Sequence, residues 1–134
     1  MATHIMVVDD TKEILDLFEE ILTEAGYKVS SYSYGVQELA EIKRIAPDLL
    51  ILDYLIGDEK LGWQLLQKMK MDKELAHIPI IICSAAIRQL YEMQGWLTEK
   101  NVGIVFKPFD IDDLLLAVKK AIEANAPGRG SKGR

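Results

Sequence analysis

Four apolar runs in this chain each end, on the C-terminal side, in a residue able to do chemistry. Ile5-Met6-Val7-Val8 ends in Asp9-Asp10, Leu49-Leu50-Ile51-Leu52 in Asp53, Ile80-Ile81-Ile82-Cys83 in Ser84, and Gly103-Ile104-Val105-Phe106 in Lys107-Pro108. If each run is a strand of one open parallel sheet, all four ends open on the same crevice. Three carboxylates, a hydroxyl and an ammonium gathered there suit a divalent cation and a phosphoryl group. Two ionised carboxylates about 4 Å apart repel by roughly 4 kcal/mol at an effective dielectric near 20. Such a cluster either holds a proton at raised pKa or recruits a cation. Magnesium matches the donor set: it is a hard ion that takes one or two carboxylates, several waters and phosphate oxygens.

Each residue also has a plainer reading. Asp53 follows a wholly apolar run and is the candidate nucleophile, since a carboxylate that attacks phosphorus forms an acyl phosphate. Alternatively it is a solvated aspartate at a strand end. Asp9 and Asp10 are neighbours and leave a strand on opposite sides, so both reach one ion only where the backbone turns beyond it. Alternatively Asp10 caps the next helix and Asp9 is solvated. Lys107 could stabilise a phosphate as a point charge, and the Ser84 hydroxyl could donate to it. Singly these are ordinary residues; their recurrence at four strand ends argues against coincidence.

The elements that must position them alternate strand and helix, the pattern of an α/β fold with a parallel sheet. Ile14, Phe18, Ile21, Leu22 and Ala25 recur at helical spacing before Gly26, with Asp10 or Thr11 as the cap. Tyr27 to Tyr32 reads as a second strand, and a short helix over about Val36 to Ile45 stops before Pro47. The third strand, Asp48 to Leu52, is apolar throughout and therefore covered on both faces. A loop through Gly57, Asp58, Glu59 and Lys60 leads to a helix from Gly62. Pro79 introduces the fourth strand, and one helix containing Gly95 is expected over Arg88 to Lys100. The fifth strand ends at Lys107, and Asp110 caps a final helix with Leu114, Leu115, Val118 and Ile122 as its buried stripe. Five strands and five helices are expected, as one domain over residues 1–125 and a flexible basic tail over 126–134.

At 134 residues the chain is long enough to bury a core without staples. The apolar stretch from Ile78 to Ile87 is too short to span a membrane. The first residues lead straight into a strand, so no signal peptide is expected. With Cys83 as the single cysteine no intrachain disulfide forms, which fits a cytoplasmic setting, and Cys83 itself reads as strand packing. The net charge of −5 argues against a nucleic-acid surface; Arg129, Lys132 and Arg134 of the tail are the basic cluster.

The chain resembles the receiver domain of two-component response regulators over about Ile5 to Ala124. The resemblance rests on Val-Val-Asp9-Asp10, Leu-Ile-Leu-Asp53, Ile-Ile-Ile-Cys-Ser84-Ala85 and Lys107-Pro108-Phe109, in that order and spacing. It implies a doubly wound five-stranded parallel sheet of order 2-1-3-4-5, flavodoxin-like, with helices on both faces. It implies phosphorylation of Asp53 by a histidine kinase or a histidine phosphotransfer protein. Magnesium would be held by Asp9, Asp10, Asp53 and the Leu55 backbone carbonyl. Ser84 and Ala85 would turn toward the phosphoryl group, Lys107 would contact it, and the Lys107-Pro108 peptide is expected to be cis. An effector protein would be met through the fourth helix, fifth strand and fifth helix, with a phosphorylation-dependent homodimer as a further outcome. Neither nucleic acid nor membrane is an expected partner of the domain itself. The chain carries no DNA-binding output domain, so it is expected to be a stand-alone receiver or a piece of a longer one.

Three departures from the family pattern bear on function. The segment after Asp53 lacks the usual Met-Pro and places Asp58 and Glu59 beside the site, as metal ligands or as solvated loop charge. The aromatic switch position three residues before the lysine is Ile104, with no hydroxyl and a stiff first torsion. The response is therefore expected to travel through the loop after Ser84 and the fourth helix. Leu55 and Ala86, at the positions that control hydrolytic water, cannot orient one, so slow dephosphorylation is expected. The rival reading is a phosphorylation-independent interaction domain on the same scaffold. A flavin carrier is disfavoured by the acidic turn where a phosphate loop would sit, and an aspartyl phosphatase by Leu55 where a second acid is wanted.

Overall fold

The computed structural model describes residues 3–33, 39–53 and 61–124. Five strands, β1 His4–Val8, β2 Lys28–Tyr32, β3 Leu49–Leu52, β4 Ile80–Ser84 and β5 Val102–Phe106, form one parallel sheet of order β2-β1-β3-β4-β5. This is the expected doubly wound arrangement. Six helical segments surround it: α1 Lys12–Glu24, α2 Leu39–Ile45, α3 Leu61–Met71, α4 Ile87–Glu92, α5 Gln94–Glu99 and α6 Ile111–Ala124.

Side-chain alternation divides the core in two. Met6, Val8, Leu50, Leu52, Ile80 and Ile82 pack with residues of α2, α3, α4 and α5 on one face. Ile5, Val7, Leu49, Ile51, Ile81 and Cys83 pack with residues of α1 and α6 on the other. The three inner strands are buried at every position but the first of β1, half-buried His4, as sheets covered on both sides require. The third strand is thus apolar because it has two apolar faces to meet.

Helix α1 ends as its sequence directs. Gly26 takes a φ of 98°, and the amides of Gly26 and Tyr27 donate to the carbonyls of Thr23 and Leu22. This is the pair of bonds that closes a helix over a left-handed glycine. Its start differs from expectation: Thr11 is the cap residue but makes no side-chain cap hydrogen bond. The single helix expected over Arg88 to Lys100 is also corrected. It breaks at Met93, which ends α4 and precedes α5 at φ −105°, ψ 6°. Met93 is outside helical geometry, and Gly95 just beyond lowers the drive to propagate. Of the side chains around the break, Leu97 is in the core, Trp96 is half-buried against Trp63, and Tyr91 is 59 % exposed.

Candidate functional site

The strands carry their backbone ladder right up to the residues that end them. The amide of Asp9 donates to the carbonyl of Tyr32, that of Asp53 to Val8, and that of Lys107 to Ser84, at 3.1, 3.1 and 2.9 Å. Each chemical residue is therefore latched to a neighbouring strand by a main-chain bond. Its position follows from register: Val8 pairs with Leu52, so Asp9 and Asp53 share the next rung. Likewise Ser84 pairs with Phe106, which sets Lys107 one step past Ser84.

The side chains converge. Lys107 Nζ lies 2.6 Å from Asp9 Oδ2 and 3.1 Å from Asp53 Oδ2. Asp9, Asp10 and Asp53 each offer a carboxylate oxygen, and these oxygens lie within 4.8 Å of one another. Asp9 is 1 % exposed, Asp53 7 % and Ser84 2 %, whereas Asp10 is exposed. The plain reading of the acidic pair is thus reversed, because Asp9 is the buried one. Its Oδ1 accepts the Thr11 amide at 2.9 Å and Thr11 Oγ1 donates to Asp10 at 3.5 Å. Sequence offers Thr11 as a helix cap and not as a support of the site; an Asp two residues before it, able to accept its amide, is the local signal that marks such a turn.

Burial pushes the Asp53 carboxyl above its ordinary value; the charge of Lys107 opposes this, Asp9 reinforces it, and hydrogen bonds from Lys107 and Ser84 oppose it again. Burial alone would lower Lys107. The hydrogen bond to Asp9 and the charges of Asp53 and Asp9 outweigh it and hold the ammonium above the usual lysine range. Cys83, one residue before Ser84, is buried and its thiol is pushed up to about 12, chiefly by desolvation, so it is packing and not a nucleophile.

Ser84 Oγ accepts the Ala86 amide at 3.2 Å, which fixes the start of the loop to α4. Ala85 is exposed beside it. The Lys107-Pro108 peptide is cis, as expected. Phe109, part of the quoted motif but assigned no role from sequence, stacks on Phe18 of α1 with ring centroids 5.3 Å apart, anchoring the segment that carries Lys107. Ile104 stands three residues back on β5, half-buried and packed against the core on the α3–α5 side. Leu55, Gly57, Asp58 and Glu59 lie outside the described residues.

An all-oxygen donor set of three carboxylates is the chemistry that magnesium accepts. Burying Asp9 and Asp53 side by side demands a positive charge between them, which Lys107 supplies in part. The arrangement fits a metal-assisted phosphate site: a nucleophilic carboxylate, a cation-binding pair, and a fixed ammonium within reach of both.

Comparison with known proteins follows the same line. The family model described as response regulator receiver domain matches residues 5–119. The chain is 32 % identical over 123 residues to sporulation initiation phosphotransferase F of Bacillus subtilis, covering 90 % of this chain and 94 % of that protein. It is 29 % identical over 116 residues to the DNA-binding dual master transcriptional regulator RpaA of Synechocystis, covering 87 % of this chain and 47 % of RpaA. The chain thus spans about half the length of several curated relatives it matches. A response regulator receiver domain protein (CheY-like) from Methanospirillum hungatei superposes with a TM-score of 0.79 at 25 % identity, covering 93 % of this chain and 97 % of that one. Among the described residues, no helix is long and apolar enough to cross a membrane.

Proposed function

Because the chain belongs to the response regulator receiver family, we propose that it is a phosphoacceptor module in which Asp53 takes a phosphoryl group and the protein's binding surface changes in response. The observation that carries this is the bridge from Lys107 to Asp9 and Asp53, which joins three strand ends into one charged pocket. An Asp53 oxygen forms the bond to phosphorus, and the bond from phosphorus to the donor's imidazole nitrogen breaks. The electron pair leaves with the imidazole, which takes up a proton. Lys107 then faces the new dianion, and the Ser84 hydroxyl is placed to donate to one of its oxygens. Magnesium held by Asp9, Asp10 and Asp53 would neutralise charge on the phosphate oxygens. Leu55 is assigned the backbone ligand by family resemblance.

The donor is a histidine kinase or a histidine phosphotransfer protein. Each transfer leaves the phosphoryl group on Asp53 itself, so the domain works as a signalling component and not as a turnover enzyme. An effector protein would be met through α4, β5 and α6, where Tyr91, Ile87, Ile111 and Leu116 present apolar surface; a phosphorylation-dependent homodimer would use the same face. The setting is the cytoplasm. The test is labelling by acetyl phosphate. One phosphoryl group per chain is expected, dependent on magnesium and absent from Asp53→Asn. No labelling with magnesium present would leave the phosphorylation-independent interaction domain instead.

A further inference from the structure

A second charged concavity lies at the opposite end of the sheet from Asp53. It is a groove of about 300 Å³ between the last turn of α3, the segments leading into β4 and β5, and the C-terminal end of α6. Lys70, His77, Lys100 and Asn101 line it above an apolar floor of Ile78 and Pro79, and no carboxylate is among its lining residues. Lys70 is half-buried. Its Nζ donates to the Ala76 carbonyl at 3.4 Å, which leaves two of its three donors without a partner among the described residues. Lys100 lies with its ammonium 5.8 Å from the centroid of the Trp96 ring. Neither lysine forms an ion pair among the described residues. Burial and the neighbouring Lys100 both lower the affinity of Lys70 for its proton.

Two ammonium groups brought together, one of them half-buried, are repulsive unless something negative joins them. The other half-buried lysine among the described residues, Lys107, is paired with Asp9 and Asp53, and even exposed Lys43 meets Asp72 and Glu74. The groove is the exception, and its volume sits at the small end of ligand pockets. We propose that it binds a small phosphate-bearing anion, with Lys70 and Lys100 as charge contacts and His77 and Asn101 as further hydrogen-bond donors. The site is separate from the phosphorylation pocket and does not depend on how that pocket functions.

The experiment is a titration of the full chain with inorganic pyrophosphate in magnesium-free buffer, followed by backbone amide shifts. Without metal the Asp9, Asp10 and Asp53 cluster repels the probe, so the two ends of the sheet report separately. Saturable shifts are expected at His77, Lys100, Asn101 and Val102 and not at the carboxylates. The double variant Lys70→Gln/Lys100→Gln should weaken binding by at least about tenfold, the scale of one lost charge-assisted contact. Lys70→Arg/Lys100→Arg should retain it, which separates loss of charge from loss of fold. Substitution of Arg129, Lys132 and Arg134 by Gln should leave it unchanged. An ADP titration distinguishes the source: tighter binding than pyrophosphate makes the ligand a nucleotide, equal or weaker binding a free phosphate compound. No saturable response at millimolar pyrophosphate would overturn the proposal. So would Gln variants that bind as well as the parent, or loss of binding when only the tail arginines and lysine are changed.

Discussion

Asp53 is held between opposing effects, and the balance predicts what its replacement does. Burial and the charge of Asp9 favour the protonated acid, while Lys107 and Ser84 favour the carboxylate; the net displacement is upward. The folded state therefore binds this proton more tightly than the unfolded chain, whose value is near 3.8. Stability from this group is greatest below that value and falls as pH rises through the folded one. At neutral pH the charge is a cost, so Asp53→Asn should raise Tm in metal-free buffer by a few degrees, on the order of 1 kcal/mol. A melt of both proteins at pH 7 checks this; a lower Tm for the variant contradicts it. Lys107 has the opposite logic. Its value is raised, so its contribution is intact below about 10.5 and is lost as pH rises through the higher folded value. Lys107→Gln leaves Asp9 and Asp53 buried without their ammonium and should cost about 3 kcal/mol at neutral pH. That cost should shrink on acidification as Asp53 takes up a proton. At this scale the sequence was informative because every chemical residue follows an apolar run that sets its place. It was silent on which of Asp9 and Asp10 is buried. That depends on how the backbone turns after the strand, where the Thr11 amide and the Lys107 ammonium both hold Asp9 inward.

Elements were legible where periodicity is strong and less so where two weak signals compete. Helix α1 was readable from its stripe and its glycine, but the break between α4 and α5 was not, because Leu90 and Leu97 keep helical spacing across it. The break makes Gly95 a test. A Cβ there meets nothing within 4 Å and its φ is not left-handed, so Gly95→Ala should stabilise by about 0.5 kcal/mol through helix propensity. Gly26→Ala, at φ 98°, should destabilise by roughly 1 kcal/mol despite equally open space. Denaturant midpoints of the two variants moving in the same direction would contradict this pair. The break also bears on signalling. Phe106 is the rung partner of Ser84, and its ring centroid lies 5.2 Å from that of Tyr91 on α4. Movement at Ser84 thus reaches α4 by two routes, through the loop from Ala85 and across that ring contact. Ile104, with no ring, joins neither. On phosphorylation, amide shifts over residues 85–92 should persist in Ile104→Ala and diminish in Tyr91→Ala. Their loss from Ile104→Ala with labelling intact would overturn this route.

At the scale of the molecule, the sheet gathers acid at one end and base at the other. The alternation of strands and helices made a parallel sheet legible, but not which strands neighbour one another. Inner strands are apolar on both faces and look alike; β2, with exposed Lys28 and Ser31, carries the polar positions an edge permits. The strand order came with the family resemblance rather than with periodicity. What the order accomplishes is to set β1 beside β3, and so Asp9 beside Asp53, across about a third of the chain. The unfolded chain has no such cluster, so a divalent cation that binds the cluster binds the folded state alone and must stabilise it. At magnesium about a hundredfold above its dissociation constant the gain is roughly 2.7 kcal/mol. Tm should therefore climb with the logarithm of magnesium concentration. Asp10→Asn tests the ligand set cleanly because Asp10 is exposed. Its metal-free Tm should match the parent within about 0.5 kcal/mol, the scale of a surface change, while most of the magnesium-dependent rise disappears. Parent protein melting at one temperature with and without magnesium, or Asp10→Asn keeping the full rise, would show that the three carboxylates do not act as one cation site.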